Sequence, residues 1–144
     1  MSEEVWTGVD GYVASLLLPR DEALEAALAD SRELPNIQVS RLQGKFLELL
    51  VHAIGARRVL EVGTLAGYSA IWMARALRQG GRLITLEVNE THAAVARRNV
   101  ERAGLADVVD IRVGPALDSL AALQHESQEP FDLVFIDADK APTA

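Results

Sequence analysis

Residues 59–69 read VLEVGTLAGYS. Val59, Leu60 and Val62 surround one acid, Glu61, in a run suited to a buried strand. Gly63 and Gly67 follow, four apart, and a helical pattern starts at once with Tyr68. The stretch predicts a strand, a tight glycine turn and a helix N-terminus. Glycine removes the Cβ that would hold a ligand away from the backbone, and free N–H groups at a helix start attract polar ligand atoms. The carboxylate beside the turn favours a ligand with hydroxyls or an ammonium group over one presenting bare phosphates.

The same alternation continues on the C-terminal side. Strands are expected at 58–62, 83–87, 108–113 and 131–137, and helices at 68–78, 90–102 and 115–123. Gly80-Gly81 marks a turn, Gly104 a helix C-cap, and Pro115 the first turn of the last helix. Residues 124–129 read as a polar loop. On the N-terminal side, residues 9–31 predict two helices hinged near Pro19, and 33–38 a loop through Pro35-Asn36. Ser40 and Gln43 have capping-box spacing, so a helix starts at Ser40 and runs to Gly55. The expected fold is α/β: a helical region over 1–55, then a doubly wound parallel sheet over 56–144. The near-continuous apolar run of the fourth strand predicts burial on both faces.

Composition narrows the function. The chain has 144 residues, 49% hydrophobic and 24% charged, enough for one domain with a core of its own. Its net charge of −7 and lack of basic clusters beyond Arg57-Arg58 and Arg97-Arg98 argue against nucleic acid and anionic membranes as partners. There are no cysteines, hence no disulfide framework and no thiolate metal site. No apolar run reaches the roughly 18 residues of a membrane span, and the acidic start does not resemble a secretion signal; a cytoplasmic protein is expected.

Three acids fall where strands one, two and four end: Glu61, Glu87 and Asp137. Open α/β sheets bind ligands at that edge, near the point where strand order reverses. Glu87 lies 24 residues beyond Gly63, about the distance at which an acid meets a ribose diol. A dinucleotide fingerprint would place glycine where Leu65 stands, which disfavours a nucleotide-dependent oxidoreductase and a pyrophosphate ligand. The fourth strand ends in FIDADK, so Asp137, Asp139 and Lys140 enter the same edge. Asp137 suits a hard cation such as Mg²⁺, and Lys140 is a candidate general base. His52, His92 and His125 show no ligand spacing and read as structural or solvated; Trp6 and Trp72 read as packing residues.

Five stretches in order resemble the cation-dependent O-methyltransferases, the group of caffeoyl-CoA and catechol O-methyltransferases: VSRLQGKFLELL, VLEVGTLAGYSA, LITLEVN, ERAGLADVVDIRVGPAL and FDLVFIDADK. The resemblance implies a Rossmann-like fold and S-adenosylmethionine as methyl donor. Position by position, it implies that Val39 and Ser69 border the methionine end, and that Glu61, Gly63 and Thr64 line the amino-acid and sugar portion. Glu87 would hold the ribose hydroxyls, Ala116 would sit by the adenine, and Asp139 would contact the cofactor near the metal. Asp137 would be a metal and catalytic ligand, Lys140 the catalytic base. The implied reaction is methyl transfer to a hydroxyl of a small catechol-like or other aromatic acceptor, assisted by a divalent cation, in a homodimer. Family members continue with further strands and an Asp-Asn pair of metal ligands after the DADK motif, and this sequence stops at Ala144. The expectation is therefore poor metal binding and little turnover by the chain as it stands, the alternative being a cofactor-binding or dimerising fragment without catalysis.

Overall fold

Four parallel strands organise the molecule, and the computed structural model describes residues 2–126 and 129–138. The elements run α1 Glu3–Leu17, α2 Glu22–Asp30, a 3₁₀ turn at Ser31–Glu33, α3 Arg41–Ile54, β1 Arg58–Val62, α4 Tyr68–Arg75, β2 Arg82–Glu87, α5 Glu90–Arg102, β3 Val109–Val113, α6 Ala116–Glu126 and β4 Leu133–Ile136. Strand order is β3-β2-β1-β4, so the chain walks outward from β1 to β3 and then returns to the other side of β1. With right-handed crossovers, that reversal puts α4 and α5 on one face and α6 on the other. The topological switch lies between β1 and its neighbours, where Rossmann-like sheets bind ligands.

Two apolar clusters hold the sheet. On one face Val59 and Leu83 pack with Ile71, Trp72 and Met73 of α4 and with Val100 of α5. Leu24, Ala27, Leu47 and Val51 join the same cluster, so α2 and α3 share the core of the sheet. On the other face Leu60, Ile84 and Leu86 meet Leu123 of α6. The capping box at Ser40 is formed, with the Gln43 N–H donating to Ser40 Oγ and the Ser40 N–H donating to Gln43 Oε1. Gly44 in the next turn is obligatory for another reason: a Cβ there would lie 2.4 Å from the Trp72 ring.

Several expected boundaries shift, each for a local cause. α1 begins at Glu3 rather than residue 9, because the Ser2 carbonyl accepts from the Val5 and Trp6 N–H groups and Glu3 and Glu4 favour a helix start. α4 ends at Arg75 because the Arg78 N–H leaves the helix for the Ala56 carbonyl. α6 extends through Glu126, whose carboxylate takes both ends of the Arg112 guanidinium at 2.7 and 2.9 Å. β4 departs most. Leu133 and Phe135 pack toward the first cluster, but Val134 and Ile136 are 52% and 72% exposed on the α6 side, against the expectation of burial on both faces. α6 lies over β2. Trp6, expected to pack, is also exposed, whereas Trp72 is buried.

Candidate functional site

A cleft of about 410 Å³ opens at the carboxyl ends of β1, β2 and β4. Of the residues singled out in the sequence, Val39, Gly63, Thr64, Ser69, Glu87, Ala116 and Asp137 line it. Asp139 and Lys140 lie outside the described residues. Glu61 corrects the expectation. It does not line the cleft but lies beneath it, fully buried. Side chains alternate along a strand, so Glu61 shares the face of Val59 and sits in register with Thr85 of β2.

That buried acid anchors a chain of hydroxyls. The Thr85 hydroxyl donates to one Glu61 oxygen at 2.6 Å, and the Ser69 hydroxyl donates to the other. Thr85 and Thr64 hydroxyls meet at 2.6 Å; with the Thr85 proton given to Glu61, Thr64 is the donor. Burial pushes the Glu61 carboxyl up to about 7, against the two hydroxyl donors that favour its charge, and the charges of Asp137 and Glu87 push the same way. The consequence for the cleft is at Ser69. While Glu61 is ionised it accepts the Ser69 hydroxyl proton in a hydrogen bond, leaving the Ser69 lone pairs for a ligand; with Glu61 protonated, its own O–H satisfies one of the two hydroxyls instead.

The glycine turn is built differently from a phosphate cradle. Gly63 donates its N–H to the Leu86 carbonyl, Gly67 to the Thr64 carbonyl, and Leu65 to Glu87 Oε2. These three donors are used within the protein, which removes the nest a pyrophosphate would need. Gly63 has a φ of +104°, and a Cβ there would lie 2.1 Å from the Asp137 carbonyl. Its freedom thus serves the close approach of the β4 end rather than that of a ligand. Leu65 itself has a φ of 49°, a left-handed conformation that costs a non-glycine residue about 1 kcal/mol.

Glu87 forms the opposite end of the cleft. Its Oε2 accepts from Leu65 and its Oε1 from the Asn89 N–H, both at 2.9 Å. A carboxylate has about four acceptor positions, so two remain for a ligand. The backbone fixes the carboxylate in one orientation, which suits a vicinal diol. His92 lies against this end, with Nδ1 3.6 Å from Glu87 Oε1, and lines the cleft. The sequence reading assigned it no such role. Its signal was position alone: three residues past the cap Asn89, on the first turn of α5.

Among the described residues no group of three or more His, Asp or Glu side chains could hold a metal ion. Asp137 stands at the cleft as the lone predicted ligand there, so the described residues alone do not make a divalent-metal site. No helix of the described chain is long and apolar enough to cross a membrane.

Comparison with known proteins meets this geometry. A family model described as O-methyltransferase matches residues 13–143. A catechol O-methyltransferase of Niastella koreensis is 53% identical over 99% of this chain, and one of Mycobacterium tuberculosis is 58% identical over 92% of it. The chain spans 65% and 60% of the lengths of these two relatives. Among solved structures, an O-methyltransferase from Bacillus cereus in complex with SAH superposes with a TM-score of 0.92 at 55% identity, over 95% of this chain and 63% of that one. TomG of Streptomyces achromogenes, an O-methyltransferase solved with SAM, gives 0.92 at 48% identity, over 97% of this chain and 64% of that one. The cleft lies at the switch point of the fold these proteins share, and the chain belongs to the O-methyltransferase family.

Proposed function

We propose that the cleft binds S-adenosylmethionine, and that the chain carries the donor site of an O-methyltransferase acting on a hydroxyl of a small catechol-like or other aromatic acceptor. The observation that carries this reading is Glu87, oriented by two backbone N–H groups with capacity left for two ribose hydroxyls. In this reading Ala116 borders the adenine, Gly63 and Thr64 the middle of the ligand, and Val39 and Ser69 the methionine end. Glu61 acts through Ser69 as a positioning residue. The relatives named catechol O-methyltransferase support the acceptor class.

The reaction asks little covalent chemistry of the protein. The acceptor oxygen attacks the sulfonium methyl in line, an O–CH₃ bond forms, the S–CH₃ bond breaks, and S-adenosylhomocysteine leaves. The acceptor hydroxyl loses its proton to a base, the role proposed for Lys140. The sulfonium already activates the methyl, so the protein's contribution is to hold donor and acceptor in a reactive pose, worth several kcal/mol of the barrier. The divalent cation remains part of the proposal only as Asp137, its one candidate ligand at the cleft among the described residues. A cytoplasmic homodimer is part of the same reading. The apolar residues that α1 leaves exposed, Val5, Trp6, Val9, Tyr12, Leu16 and Leu17, support self-association.

Calorimetric titration separates these readings. S-adenosylmethionine is expected to bind at one site per chain and NAD to give no heat. Binding of NAD in preference would overturn the proposal. Turnover of a catechol acceptor, with and without a chelator, then separates an enzyme from a binding module.

A further inference from the structure

One polar side chain sits where an amphipathic helix would ordinarily place an apolar one. Asn99 is fully buried, among Ala93, Ala96 and Val100 of α5. Asparagine is a poor helix-interior residue, and a buried amide is costly unless both of its ends are bonded. Both are. Its Nδ2 donates to the Ala66 carbonyl at 3.0 Å, and its Oδ1 accepts from the Arg102 guanidinium at 2.9 Å. The partners fix which end is which, because a carbonyl only accepts and a guanidinium only donates. Arg102 in turn reaches Asp30 of α2 at 3.2 Å, so a continuous series of bonds runs from the surface to the glycine turn.

Ala66 lies in that turn, one residue beyond Leu65, and both line the cleft. The Leu65 N–H is tied to Glu87 Oε2, and the Ala66 carbonyl to Asn99. The left-handed backbone of Leu65 is therefore held by a bond on each side. Ala96, one helical turn before Asn99, presses on the same loop: a Cβ on Gly67 would lie 3.2 Å from its Cβ. The second donor to Glu87, the Asn89 N–H, belongs to the residue that caps α5. Both backbone groups that orient the Glu87 carboxylate thus depend on α5, one at its cap and the other through Asn99.

We propose that Asn99 is a positioning residue for the donor site: its amide holds the Ala66 carbonyl, and with it the Leu65 N–H that orients Glu87 toward the ribose hydroxyls. The inference rests on the reading of the cleft as an S-adenosylmethionine site. Asn99 lies outside the cleft lining, so it acts on binding only through the turn and Glu87.

A double-mutant cycle on the full chain, read by titration calorimetry with S-adenosylhomocysteine, tests this. Asn99→Leu keeps the volume and removes both bonds. It is expected to weaken S-adenosylhomocysteine about fivefold to tenfold in the unaltered background, and less than about twofold where Glu87→Ala is already present. A side chain that serves packing alone would lower the urea midpoint without changing affinity, or would weaken binding equally in both backgrounds; either result overturns the assignment. Asn99→Asp keeps the pairing with Arg102 but sets an oxygen against the Ala66 carbonyl. It is expected to show the same background-dependent loss, and it carries the test if Asn99→Leu does not fold; unaltered affinity in Asn99→Asp would also overturn the assignment. Binding that depends on Glu87 but not on Asn99 would sink this inference alone. An unaltered chain that binds no S-adenosylhomocysteine would remove the reading of the cleft and this inference with it.

Discussion

Glu61 shows how one side chain's burial changes its role. An acid between Leu60 and Val62 reads as a cleft residue when only its distance from Gly63 is considered. Strand alternation instead turns it under the sheet face, where Thr85 faces it in register. The two polar residues at matching positions of adjacent strands were the legible signal of a buried network. The proton equilibrium follows. An unfolded glutamate titrates near 4.5 and the folded one near 7, so the native state keeps a proton that the unfolded state has released between those values. The stability this contributes is fully present below about pH 4.5 and lost as pH rises through about 7. Relative to Glu61→Gln, the unaltered chain is expected to lose on the order of 3 kcal/mol across that window, measured by urea unfolding at pH 4.5, 6 and 8. A difference independent of pH would remove the buried proton from the account. Glu87→Ala is expected to weaken S-adenosylmethionine by roughly 1–3 kcal/mol and to free the Leu65 turn, read by calorimetry; unchanged affinity would take Glu87 out of the site.

Among the elements, the glycine turn and the end of β4 are one unit. The Gly63 N–H pairs with β2, and the space where its Cβ would sit is filled by the Asp137 carbonyl. Gly63→Ala meets both a left-handed backbone and that carbonyl, so a loss of about 3 kcal/mol or more is expected in thermal or urea unfolding. A nearly neutral result would mean that β4 does not dock on the turn. Most elements were legible because their signals are local: the Ser40–Gln43 box, the glycine stops, and period-two strands beside amphipathic helices. What stayed hidden was set by neighbours distant in sequence. Arg112 lengthens α6 by pairing with Glu126. Ala56 shortens α4 by drawing off the Arg78 N–H. The two sides of β4 differ because helices cover one side of it and not the other, a property of the sheet as a whole that its apolar sequence cannot report.

For the whole molecule, the sequence order of strands and helices decided the sheet, and the reversal after β3 decided where the cleft lies. The −7 charge and the placement of Glu87 and Asp137 at one sheet edge disfavour bare phosphates as ligands. A ligand bound only by the folded chain stabilises it, so S-adenosylmethionine at about 100 times its dissociation constant is expected to add about 2.7 kcal/mol and raise the melting temperature by several degrees. NAD at the same concentration is expected to leave it unchanged. A crystal structure of the chain soaked with S-adenosylmethionine would show directly whether the cleft is the donor site. The nucleoside is expected in the cleft between the Gly63 turn and Glu87, with both ribose hydroxyls on that carboxylate. A cleft filled by the protein's own side chains, or a ligand bound elsewhere with Glu87 uncontacted, would contradict it.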